Sequence, residues 1–198
     1  MGIDIRKIFV GRAEQSATTG ALARGAVIAG DDVPETMAAA LTATSGFATS
    51  GYVSEDGVTL STDVSVTDLV EWNKAAVRRL LDSFDGTLSL NLIQLDAEGA
   101  KQAFGEDNVD VTAATTEHGQ QLRIALGAHL PEPQCWALRM KDGDRRILVL
   151  VPNGQVTSGV EMTFSATEAV QLPVTVSAND DGTGNSIYIY TDDGVTSA

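Results

Sequence analysis

"GYVSEDGVTLSTDVSVTDLVEWN", residues 51–73, decides the fold class. From Val58 the even positions are Val58, Leu60, Thr62, Val64, Val66, Asp68, Val70 and Trp72, and the odd ones are mostly Thr, Ser, Asp and Glu. Extended backbone points its side chains to opposite faces in turn, so this alternation predicts strand. It outlasts the roughly 5–6 residues of an ordinary strand. The expectation is two strands that turn a corner near Thr62-Asp63, with the Glu55-Asp56-Gly57 turn at one end. The even face (Val58, Leu60, Val64, Val66, Val70, Trp72) is expected on the core and the odd face in water.

Outward from the ribbon, the next segment, "KAAVRRLLDSF", leaves two states open. Asp68 with Glu71 three residues on resembles a helix cap, and Leu69, Trp72, Ala76 and Leu80 keep helical spacing. "TLSLNLIQLD" is plainer: Leu88, Leu90 and Leu92 alternate with Thr87, Ser89 and Asn91, as in a half-buried strand. Asp96 then caps a short helix over about 96–105 that carries Ala100, Ala103 and Phe104, with Gly105 as terminator.

From residue 135 the pattern is that of a meander. Trp136, Leu138 and Met140 alternate with Ala137, Arg139 and Lys141, "DGD" at 142–144 makes a tight turn, and Arg146 to Val151 returns as a buried strand. Asn153-Gly154 predicts a second hairpin turn, after which Val156, Val160, Met162 and Phe164 alternate. Val170, Leu172, Val174 and Val176 form a further strand, at an edge or bulge because Pro173 has no N–H to donate, and "SIYIYT" at 186–191 forms the last. Residues 11–50, rich in Gly, Ala, Thr and Ser, lack large apolar side chains and predict an arm or long loop. The division expected is an arm at 1–46, a β-sandwich at 47–191 and a tail at 192–198. The class is all-β, a sandwich or barrel with one flanking helix.

Composition narrows the function. Apolar residues make up 43% of 198, enough for a core, and the net charge of −14 repels nucleic acid and anionic membranes. No stretch approaches the roughly 20 apolar residues of a membrane span. "MGIDIRKIFVGRAEQ" lacks a signal peptide's apolar core, and Arg6 stands where a myristoylation motif has Ser or Thr, so a soluble protein is expected. The single cysteine, Cys135, excludes an internal disulfide and suits a reducing cytosol during synthesis.

Candidate chemistry is thin. His118 and His129, the only histidines, lie in a polar irregular region without metal-ligand spacing, and Cys135 is flanked by Gln134 and Trp136 rather than a base. "SEDG", "KDGD", "NDDG" and "TDDG" have the composition of tight turns and lack the alternating ligands of a calcium loop. "DDGTGN" at 180–185 lies between two strands and is a loop, not a phosphate cradle. The basic pairs Arg78-Arg79 and Arg145-Arg146 suit a solvated strand edge, or acidic residues on a neighbouring copy. Catalytic, cofactor and metal residues are therefore expected to be none.

The run "GYVSEDGVTLSTDVSVTDLVEWNKAAVRR", then "TLSLNLIQLDAEGAKQAFGEDNV", then "WALRMKDGDRRILVLVPNGQV", resembles the major tail tube proteins of long-tailed siphophages, especially those infecting actinobacteria. The resemblance covers roughly residues 47–178 and rests on the order of these phrases. It implies a non-enzymatic virion protein, a β-sandwich subunit assembled as hexameric rings stacked into a hollow tube. Each subunit would add strands to an inner β-barrel, while arms and loops reach neighbouring rings. It implies extended chain around Trp72 to Asp82. The partners implied are further copies of the chain, a tape-measure protein, terminator and baseplate or tail-tip proteins, and double-stranded DNA in passage, with no membrane. An acidic bore would let DNA slide, since charges still act over about 8 Å at physiological salt. The alternatives are a virion binding module for carbohydrate or a host surface, which would call for aromatic-rich loops, and a hydrolase, which would call for a paired His and acid.

Overall fold

A computed structural model describes residues 8–14, 20–159, 161–167 and 169–195. In chain order the strands and helices are β1 (Arg12–Ala13), β2 (Leu22–Gly25), α1 (Met37–Ala43), β3 (Ala48–Thr49), β4 (Val53–Val70), β5 (Ala76–Leu92), α2 (Ala97–Phe104), β6 (Val109–Thr112), β7 (Gln121–Ile124), β8 (Gln134–Asp142), β9 (Arg145–Val156), β10 (Leu172–Ala178) and β11 (Tyr188–Asp192). Nine strands form one sheet along β3-β2-β8-β9-β10-β5-β4, with β1 on β8 and β11 on β9, and β6-β7 form a separate pair. The fold is all-β, and a second helix, α1, joins the one expected.

The central strands β8 and β9 are apolar on both faces. Trp136, Leu138, Val149 and Val151 enter the larger core with Leu88, Leu90, Leu92 and the β10 residues Leu172, Val174 and Val176. Cys135, Ala137, Leu148 and Leu150 face the other way, onto Ala40 of α1 and the half-buried Tyr188 and Tyr190. The sheet is thus covered on both sides, α2 closing one face and α1 with the β11 tyrosines the other. The helix at 96–105 forms as expected. Asp96 Oδ1 accepts the Gly99 N–H at 2.7 Å, and Gly105 ends the helix at φ +89°.

Several expectations are corrected. Asn153-Gly154 is not a turn, because β9 runs through it to Val156, pairing Gly154 with Gln134 and with Ala178. The glycine is there for closeness: a Cβ would lie 2.7 Å from Trp136 Cδ1 and from Val176 Cγ1, and the Gly154 carbonyl accepts the indole N–H at 3.1 Å. The strand expected through Met162 and Phe164 is absent among the described residues, and Val160 lies outside them. Leu22–Gly25, expected within an arm, are built into the sheet as β2, with Ala21, Leu22 and Ala23 essentially inaccessible. "SEDG" is no hairpin end either, since Gly57 (φ +75°) sits in a register shift within β4, and no corner breaks the chain at Thr62-Asp63. Pro173 does lie where β10 is paired by β5 alone, beyond the end of β9.

Two substitutions on one sheet face separate core from arm. Leu92→Ala, at 0% exposure, is expected to cost about 2–5 kcal/mol in urea unfolding. Val66→Ala, at 52% exposure on the same ribbon, should stay within about 0.5 kcal/mol.

Candidate assembly surface

β5 is paired on both sides only over Gly86–Leu92, where β10 flanks it. From Asp85 back to Ala76 it pairs with β4 alone, and every residue from Ser61 to Asp85 is exposed. The two strands therefore leave the body as a hairpin about 30 Å long, taking ~3.3 Å per residue over its nine or so paired rows. The stretch that allowed a helix is strand, as the resemblance implies.

The pairing carries the core face outward. Val58↔Leu90 and Leu60↔Leu88 pack on the core, then come Thr62↔Gly86, Val64↔Phe84 and, past a bulge, Val66↔Leu81. Only Val58 and Leu60 of the expected even face reach the core; Val64, Val66 and Val70 are each more than half exposed, and Trp72 is 99% exposed. The opposite face is polar near the body and takes in Leu69 and Leu80 toward the tip. Asp63 lies directly across from Asp85, and Thr67 Oγ1 donates to Asp82 Oδ2 at 2.6 Å. The apolar face is itself interrupted toward the tip by Asp68↔Arg79, where Arg79 Nε meets Asp68 Oδ1 at 3.0 Å, an exposed pair worth little by itself. The tip is closed by Glu71 N–H to Ala75 O and Lys74 N–H to Glu71 O, both 2.9 Å, with Lys74 at φ +66°. Beyond this apolar stripe, β4 ends the sheet, and among the described residues no strand pairs its outer backbone edge over 18 residues. A long open edge beside exposed apolar side chains is a template for strand addition by another chain.

A cavity of about 650 Å³ opens between α2 and the loop at 129–132. Leu130, Pro131, Val156 and Trp136 line it, Glu106, Asp107 and Glu132 contribute carboxylates, and His129 also borders it. Gln102 lines it too, 1% exposed, with no partner for either amide atom. Beside it, buried Arg24 ties β2 to α2, donating to Gln134 Oε1 at 2.8 Å and Glu98 Oε2 at 3.4 Å. The sequence had one sign of Gln102, a polar residue among Ala100, Ala103 and Phe104 on the buried side of α2.

The residues weighed for chemistry stay apart. His118 and His129 are exposed in separate loops, and among the described residues no three His, Cys, Asp or Glu side chains gather as a metal set. Cys135 is fully buried at the start of β8, and burial pushes its thiol up to about 12. Asp180 and Asp181 shape the turn after β10: Asp180 Oδ1 accepts the Gly182 N–H and Asp181 Oδ1 the Thr183 N–H at 2.9 Å. Burial pushes the Asp181 carboxyl up, but hydrogen bonds from the Tyr188 hydroxyl (2.6 Å) and from Thr183 outweigh it and hold it below the usual range.

A projecting hairpin and an open sheet edge among the described residues of an all-β subunit are features that favour association. A family model of phage tail tube proteins matches residues 12–198, and the chain belongs to that family. It is a structural protein of the phage tail, a class that is typically non-enzymatic. Comparison with curated proteins finds no match. No helix among the described residues is long and apolar enough to cross a membrane.

Two measurements check these placements. Because its folded carboxyl is more acidic than the unfolded one, Asp181 adds stability at neutral pH that is lost as pH falls through the lowered value. The urea-midpoint gap between wild type and Asp181→Asn should be constant above about pH 5 and shrink below about pH 4. Cys135 should resist alkylation at pH 8 in the native protein and react at once in denaturant.

Proposed function

We propose that the chain polymerises as stacked homohexameric rings into the tail tube of a long-tailed phage, a conduit for genome delivery. The observation that carries this is the β4–β5 hairpin, whose apolar face continues the core beyond the body with none of the described residues over it. A two-stranded ribbon alone is marginally stable in water, and pairing β4 with a strand of a neighbour would close its open edge. Six such closures make a barrel with no edges.

In this reading the polar hairpin face, with Asp63, Asp82 and Asp85, lines the bore, where carboxylates repel DNA phosphates and keep the genome sliding. Subunits are made in the host cytoplasm and assemble around a tape-measure protein, between a baseplate or tail-tip complex and a terminator. The N-terminal segment before β2 contributes inter-ring contacts. The order of sequence phrases points to phages of actinobacteria. The subunit works without a cofactor.

Negative-stain microscopy tests this directly. Purified protein, alone or with its tail initiator complex, is expected to give tubes with a central channel and sixfold end views. A chain that stays monomeric under both conditions refutes the reading.

A further inference from the structure

We propose that the hairpin tip of one subunit plugs the cavity between α2 and the 129–132 loop of a second copy, Trp72 filling it and Gln102 meeting it at the wall. This deepens the polymerisation reading and rests on it.

Three observations converge. The first is the plug itself. Trp72, the largest side chain of the hairpin, stands 99% exposed at its end. Two backbone hydrogen bonds hold the turn that presents it, so little order has to be imposed on docking. Indoles presented this way are the common anchors of protein interfaces. The second is the socket. At about 650 Å³ the cavity falls within the range of about 300–1,000 Å³ typical of ligand sites, with Leu130, Pro131 and Val156 as apolar walls.

Its polar group is Gln102, whose amide is buried with neither atom bonded. Buried polar atoms are ordinarily satisfied. An indole N–H and a turn carbonyl are the donor and acceptor that an unpaired glutamine amide lacks. The third is charge. Glu106 is already paired with Lys101 and Arg24, but Asp107 and Glu132 beside the cavity, like Lys74 at the tip and Arg78 behind it, have no ion-pair partner among the described residues. Docking would set these cations against the carboxylates.

Trp72→Ala should leave the monomer's melting curve unchanged, because the side chain is 99% exposed, while raising the concentration needed for tube growth about tenfold or more. Gln102→Leu should weaken growth in the same sense. Location is read separately, by an Asn73→Cys, His129→Cys double variant. Oxidised tubes should give a ladder of cross-linked chains that neither single variant nor the unassembled protein gives; the native Cys135 is buried and does not compete. Tubes that form without the ladder, or Trp72→Ala tubes at wild-type concentration, overturn the docking but leave polymerisation standing. Wild-type protein that never forms tubes overturns both.

Discussion

The structure turns on β5, one strand with two different environments. Over Gly86–Leu92 it has β10 on one side and β4 on the other, and its leucines are in the core. N-terminal to Gly86 it loses β10, and the same alternation continues into solvent. Gly86 marks the division, since a Cβ there would come 2.6 Å from Ile187 Cδ1, in the segment that leads to β11. Because the ribbon is continuous, the body fixes the direction in which the arm leaves. Rigid pairing at the root is what lets a marginal two-stranded ribbon hold an outward course.

The remainder of the fold braces that root. β10 joins β5 to β9, and β9 with β8 forms a two-sided centre that needs cover on both faces. The polar residues around residues 20–50 do part of that work. Arg24 reaches from β2 to Glu98 of α2, and Arg139 donates from β8 to the Thr44 carbonyl at 2.6 Å, just after α1. These charge-assisted bonds hold small-residue segments against the sheet where there are few large side chains to do it by packing.

What was legible in the sequence follows from what each signal reports. Leu88, Leu90 and Leu92, the cap at Asp96, the Gly105 terminator and the Asp142–Asp144 turn were readable because each is decided locally, by alternation or by a backbone conformation few residues accept. The even face beyond Leu60 was misplaced because alternation says which residues share a face, not whether their own chain covers it. Asn153-Gly154 carries the composition of a turn, yet its glycine answers a tertiary demand, the indole of Trp136 lying across the strand. Ala21 and Ala23 passed as arm because small side chains carry little hydrophobic signal, although close packing beside β8 requires small ones. The cavity depends on α2, the 129–132 loop and the end of β9 meeting in space, and no local pattern announces that.

The charge and the apolar stripe answer one another. An open edge with exposed valines on a neutral protein would associate indiscriminately while subunits accumulate. Here a net charge of −14 keeps copies apart at a distance, and carboxylates such as Asp63 and Asp85 sit opposite each other on the ribbon's polar side. Like charges set directly across a strand pair cost stability, so this arrangement weakens the free hairpin slightly and discourages face-to-face stacking through that side. The apolar side carries no such penalty. Association is therefore steered to the one face and edge where apolar burial and strand pairing together can offset the repulsion, and only over contacts larger than a chance encounter provides.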